Sequence, residues 1–221
     1  MTHQDSETTR LAEYIANVLP WAHGHQLKGI TTFVGAIIEK QTGNQAELAR
    51  GLGNQEAAVK RLSRLLHNER LAPHRLADAV LAQALEQLPP RGKVRLTLDW
   101  TIEGTQPLLV VSLVTGGRAV PIYWRAYDAA VLKGRMRRYE MAVIRRAVRR
   151  VQGGIGRRRL MVTADRGFAD VALVDVLTEL GVEFIIRVKG RTKVCLQGQW
   201  RPLHTLGFAR NARHRNLGRV A

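Results

Sequence analysis

The chain has 221 residues, 45% of them hydrophobic, and a formal net charge of +17, enough for one large domain or two modest ones with a sizeable core. A single cysteine, Cys195, excludes an internal disulfide and any multi-cysteine zinc site and suits a reducing, cytoplasmic setting. The acidic start (Asp5, Glu7, Glu13) is unlike a signal peptide, and the longest strongly apolar run, "PLLVVSLV", is far too short to span a bilayer, so a soluble protein without a membrane partner is expected.

The charge is distributed unevenly. Residues 1–90 hold nine Lys/Arg and nine Asp/Glu, whereas residues 91–221 hold 26 and nine, and from Arg187 onward there are nine basic residues and no acid. So one-sided a surplus favours a nucleic acid over a merely solvated face. A membrane surface fits less well, because the basic stretches lack interleaved Trp, Phe or Leu on an amphipathic helix.

Residues 1–90 read as helical, with segments near 7–19 and 26–40. In "QAELARGLGNQEAAVKRLSRLLHN" a short helix (45–50) meets a turn at Gly51 to Gly53. Asn54 can then cap a second helix with Glu56 in its first turn. Val59, Leu62 and Leu66 are its expected buried stripe, and Lys60, Arg61 and Arg64 point outward. A further helix is expected over 74–88, with Leu81, Leu85 and Leu88 at helical spacing. Helix, short turn and basic-faced helix is the outline of a helix-turn-helix, and equally of an ordinary helical hairpin. Pro89-Pro90-Arg91-Gly92 marks the boundary where this patterning stops.

Beyond it, "KVRLTLDW" alternates Val94, Leu96 and Leu98 with Arg95, Thr97 and Asp99, the period of a strand. "PLLVVSLV" reads as a buried strand, Thr115 to Arg118 as a turn and "AVPIYW" as the next strand. "RYEMAVIRRAVRRV" is a helix with Met141, Ile144, Val148 and Val151 inward and Arg145, Arg146, Arg149 and Arg150 elsewhere. Gly153-Gly154-Ile155-Gly156 follows a helix and precedes a strand, the reverse of a dinucleotide loop, so it reads as a helix stop. "RLMVTA" is a fourth strand, "ADVALVDVLTEL" a second helix and "VEFIIRVK" a fifth strand. The order β-β-β-α-β-α-β predicts an α/β domain: an antiparallel meander followed by crossover units that add parallel strands.

Two acids stand out. Asp99 lies near the end of the first strand, on the face opposite Val94, Leu96 and Leu98, and Asp165 ends the fourth. Ligand sites in open α/β sheets form at the carboxyl ends of strands. A hard cation such as Mg²⁺ binds through one or two carboxylates plus substrate phosphate oxygens. Two such ions can activate water and stabilise the leaving oxygen in phosphodiester cleavage. Locally, Asp165 reads first as the turn residue that closes a strand, and its pairing with Asp99 in a basic domain of this strand order makes a metal ligand the better reading. Other candidates carry less: His23 and His25 have no nearby carboxylate pair, Ser112 is buried in a strand, and Asp128 and Asp170 read as a loop acid and a helix N-cap.

"LTLDWT" followed by "TADRGFAD", in this strand order, resembles the DDE transposases of bacterial insertion sequences, in particular the subgroup with a β-rich insertion before the third carboxylate. The resemblance covers about residues 94–221. It implies an RNase H-like mixed sheet with flanking helices, with an all-helical DNA-binding region over 1–90, the first part of the catalytic domain over 91–190 and the start of the insertion, at "KVCLQGQWRPLHTL", over 191–221. It makes Asp99 and Asp165 the first two catalytic carboxylates and metal ligands of a two-metal Mg²⁺ (or Mn²⁺) site. The implied partners are double-stranded DNA, as element terminal inverted repeats and target DNA, with a homodimer on the DNA. Lys60, Arg61, Arg64, Arg145, Arg149, Arg166, Lys189 and Arg191 are the expected DNA contacts. The family's third carboxylate, a Glu in a Tyr-Arg-Glu-Lys type signature, has no counterpart here: the acids after Asp165 are Asp170, Asp175, Glu179 and Glu183. The expectation is therefore a truncated transposase that binds DNA and lacks full activity. The alternatives are a DNA-binding protein or repressor without chemistry, and an RNase H-like nuclease, which needs a further carboxylate near Asp99 and Asp165.

Overall fold

Residues 3–156, 159–196 and 198–207 are described by the computed structural model, which divides into two compact units, Met1–Glu86 and Gln87–Ala221. The first unit is helical among its described residues: α1 (His3–Val18), α2 (Gly24–Lys40), α3 (Gln45–Arg50), α4 (Gln55–Leu66) and α5 (Pro73–Glu86). Ile15, Leu19 and Ala22 form a buried cluster against which Trp21, Leu27, Ile30 and Leu76 pack. Asn44 and Asn54 cap α3 and α4, each side-chain oxygen accepting from backbone N–H groups of the first turn. Gly53, at φ +83°, makes the turn between them with no side chain to strain.

The inward face of α4 differs from the expected stripe. Leu62 is buried, but Val59 and Leu66 are 42% and 57% exposed, and Ala58 (fully buried) and Leu65 take their places. Leu65 lies against Gly29 of α2, where an added Cβ would meet its Cδ1 at 3.2 Å. The small residues Gly29 and Ala58 thus rotate the helix towards its neighbour. Leu62→Ala is expected to cost about 2–5 kcal/mol. Val59→Ala is expected to stay within about 0.5 kcal/mol, both read from urea-unfolding midpoints. Equal losses would restore the Val59-Leu62-Leu66 face. At α5 the helix ends at Glu86, so Leu88 falls beyond it.

The second unit is α/β. Its strands are β1 (Val94–Glu103), β2 (Gln106–Thr115), β3 (Arg118–Ala126), β4 (Leu160–Ala164) and β5 (Glu183–Ile186). They form one mixed sheet in the order β3-β2-β1-β4-β5, antiparallel across β1–β2 and β2–β3 and parallel across β1–β4 and β4–β5. A four-residue helix, α6 (Ala129–Leu132), and the long α7 (Met136–Ile155) connect β3 to β4, and α8 (Val171–Glu179) connects β4 to β5. The expected class, a mixed α/β sheet with flanking helices after an all-helical region, is the one observed.

Met141, Ile144, Val148 and Val151 are buried as the helical period requires. They share the core with Leu96, Leu98, Leu109, Val111 and Leu113, which are 0–3% exposed. α7 runs on through Gly153 and Gly154 and stops at Gly156, whose φ of +60° suits glycine, so the stop falls later than expected. β5 spans only four residues, half the run "VEFIIRVK". β1 is longer than expected: it continues past Asp99 to Glu103 and folds back on β2 through the turn at Gly104, where φ is +55°. A separate hairpin, β6 (Lys193–Leu196) with β7 (Gln199–Pro202), occupies the described part of the stretch expected to open a β-rich insertion. Residues 208–221 lie outside the described residues. Among the described residues no helix is long and apolar enough to cross a membrane.

Candidate functional site

The parallel pairing of β1 with β4 runs from Val94–Leu160 to Leu98–Ala164. The next residue on each strand is Asp99 and Asp165. The two residues therefore occupy neighbouring backbone positions at the seam between the antiparallel and parallel halves of the sheet, at the carboxyl end of β4. Asp99 is thus placed by where the pairing with β4 ends, in the middle of β1. Successive side chains alternate between faces. Leu96, Leu98 and Trp100 face α7, with the Trp100 indole bonded to Glu140 of that helix, so Asp99 lies on the opposite face, exposed.

The Asp165-Arg166-Gly167-Phe168 turn has a physical reason at each position. Asp165 Oδ1 accepts from the Gly167 N–H at 2.8 Å and caps a single 3₁₀ turn, Arg166–Phe168. A Cβ at position 167 would sit 3.0 Å from that same oxygen, so glycine leaves the carboxylate room. Phe168, 2% exposed, anchors the turn in the core, and Arg166 is left exposed. Among the described residues Asp165 Oδ2 and both oxygens of Asp99 have no hydrogen-bond or ion-pair partner. The turn reading and the ligand reading of Asp165 are compatible, because one oxygen makes the turn and the other stays open.

Two exposed carboxylates at neighbouring strand positions, neither of them in an ion pair among the described residues, suit a hard divalent ion that completes its shell with water and phosphate oxygens. Among the described residues no group of three or more His, Cys, Asp or Glu could hold a metal ion, so the pair stands without a third such ligand. Glu140, a buried acid bonded to Trp100, is already committed. Its Oε1 accepts from Trp100 Nε1 and its Oε2 from Arg137 Nη1, both at 2.7 Å.

The Arg137 guanidinium makes two further contacts, Nη2 to the Gly167 carbonyl at 3.2 Å and Nε to Asp170 Oδ2 at 3.0 Å. Hydrogen bonding to Glu140 is the main reason its pKa lies above the ordinary arginine value. Trp100, Tyr127 and Tyr139 pack in a chain, with ring centroids 6.2 and 5.0 Å apart, and burial is the main reason the Tyr127 hydroxyl's pKa is raised.

The basic residues fall into four places. Lys60, Arg61 and Arg64 are exposed on α4, where Lys60 pairs with Glu56 at 2.7 Å and Arg61 Nη2 donates to the Leu52 carbonyl at 3.3 Å. Arg145 and Arg149 lie on the outer face of α7 beside Arg138 and Arg146, and Arg145 pairs with Glu179 of α8 at 3.1 Å. Arg166 follows Asp165 directly in the chain and is exposed. Lys189 and Arg191 border a shallow surface recess with His204 after β5, at the same end of the sheet as Asp165. Arg187 also belongs there: its N–H donates to the Ala164 carbonyl at 3.0 Å, which sets it beside Asp165. Its place follows from the β4–β5 register, which no local pattern announces. Arg137 and Glu140 were equally unmarked, except that Glu140 is the one acid in an arginine-rich helix and stands three residues from Arg137.

The second unit is thus an α/β sheet with two exposed aspartates at neighbouring positions where it changes from antiparallel to parallel, and it holds the chain's positive surplus. No protein-family model matches the chain, and no curated protein matches it in sequence.

Proposed function

We propose that the chain acts on DNA as a transposase of the DDE type, with Asp99 and Asp165 as two of its metal-binding carboxylates. One observation carries this reading: the two acids occupy the positions next after the last β1–β4 pair, exposed and, among the described residues, in no ion pair, in a unit that holds the entire positive surplus. When bound, Mg²⁺ or Mn²⁺ would supply activation of a water or 3′-hydroxyl and stabilisation of the leaving oxygen. The protein's share is to hold the ligands and the backbone. Asp165 is fixed through the Gly167 N–H, while Arg166, Arg187, Lys189 and Arg191 present positive charge at the same end of the sheet, where a scissile strand's phosphates would lie.

The capped α3–α4 pair, with Arg61 and Arg64 exposed, supports DNA binding by the helical unit and favours a second reading, a DNA-binding protein or repressor without chemistry. The two separate on metal dependence. Both predict affinity for duplex DNA that falls steeply with salt, with a smaller slope in an Arg61→Ala/Arg64→Ala variant. The transposase reading further expects nicking of terminal inverted-repeat DNA that needs Mg²⁺ or Mn²⁺ and is lost in Asp165→Asn. Fluorescence anisotropy across a salt series, with a gel-based nicking assay beside it, measures both. DNA binding indifferent to the metal and to Asp99→Ala, with no nicking, would leave only the second.

A further inference from the structure

The two candidate ligands belong to different segments, and one side chain bridges what lies behind both. Arg137 bonds the buried carboxylate of Glu140, whose other oxygen holds the indole of Trp100, the neighbour of Asp99 on β1. The same guanidinium grips the carbonyl of Gly167, the residue whose N–H holds Asp165, and the carboxylate of Asp170, which caps α8 through the Ala172 N–H at 2.9 Å. Glu140 is 1% exposed, so the carboxylate that joins the two bonds is itself held away from water. Arginine's planar fork presents its donors in fixed, widely spread directions that reach these three acceptors, whereas lysine's three donors radiate from a single nitrogen.

From this juxtaposition we propose that Arg137 is a positioning residue: through Glu140 and Trp100 on one side, and Gly167 on the other, it sets the spacing of Asp99 and Asp165 for a divalent ion. The inference rests on the carboxylate-pair reading. Outer partners of metal ligands, when removed, typically cost about 10–100-fold in affinity. Arg137 lies outside the pair and touches neither carboxylate.

The test is Mn²⁺ titration by calorimetry of the whole chain, with a thermal melt of each variant beside it. Asp165→Asn first establishes the site, and Gln152→Ala serves as a comparison, since it removes a bond of similar kind from the far end of α7 to the Leu180 carbonyl. Arg137→Ala is expected to weaken Mn²⁺ by about 10–100-fold, and Arg137→Lys, which keeps the charge without the fork, by less. Gln152→Ala is expected to leave the affinity unchanged even where it lowers the melting temperature. A merely structural Arg137 would move the melt and not the titration, and a Mn²⁺ affinity within about threefold of the parent overturns the proposal. Should Arg137→Ala not fold, Arg137→Lys and Arg137→Gln are read instead, and parental affinity in both overturns it equally. If Asp165→Asn binds Mn²⁺ like the parent, it is the carboxylate-pair reading that fails.

Discussion

Asp99→Asn and Asp165→Asn should each lower Mn²⁺ affinity by more than about a hundredfold, because loss of a ligand should exceed the 10–100-fold cost of losing a ligand's outer partner. Asparagine is the informative replacement at 165. Asp165 caps the 3₁₀ turn through Oδ1, and asparagine caps a helix start about as well as aspartate, so the Gly167 N–H keeps its acceptor while the charge is removed. The melting temperature should accordingly hold to within about 2 °C, the range of a surface change below about 0.5 kcal/mol. Asp165→Ala, by contrast, loses both functions and should cost about 1 kcal/mol through the lost cap as well. DNA affinity measured without metal should be unchanged or slightly higher in Asp99→Asn, since an exposed negative charge beside a polyanion is removed. Calorimetry with Mn²⁺ and anisotropy with end DNA check the two halves. Parental metal binding in both Asn variants would remove Asp99 and Asp165 from the site altogether.

The parts of this architecture that were legible in the sequence are those set by local rules. Alternation marked Val94, Leu96 and Leu98, helical spacing marked Met141, Ile144, Val148 and Val151, and Asn54 and Asp170 announced the caps they make. What failed depended on partners distant in the chain. The face of α4 followed Gly29 and Ala58, which let α2 and α4 approach, and the helical spacing of Val59 and Leu66 does not register that. β1 ran on to Glu103 because β2 offered it a ladder, although "WTIEGTQ" carries turn-forming residues. The site shows the same division. Asp99 and Asp165 could be picked out singly by their strands, but their adjacency is a property of the β1–β4 register. The Trp100–Glu140 bond spans 40 residues of sequence, and nothing local connects them.

The Arg137–Glu140 pair beside that bond is where a single polar substitution in the second unit should be strongly felt. Removing one member of a buried ion pair leaves the other charge uncompensated, at a cost of about 3–5 kcal/mol for a fully buried pair. Glu140 is 1% exposed, but the Arg137 side chain is 45% exposed, so water screens one end and the lower end of that range, about 3 kcal/mol, is the expected loss for Arg137→Ala. Glu140→Gln keeps an acceptor for the Trp100 indole and gives up only the charge-assisted part of the Arg137 bond, so about 1 kcal/mol is expected. The order of the two is the test, because a cation would normally be supposed the more dispensable partner when it is the more exposed. The double variant Arg137→Ala/Glu140→Gln should lose less than the sum of the single losses, since neutralising Glu140 removes the stranded charge that makes Arg137→Ala costly. Urea unfolding followed by circular dichroism gives all three values. Simple additivity would mean that the Arg137–Glu140 pair contributes no coupling, and the clasp behind the two carboxylates would then rest on Gly167 and Asp170 alone.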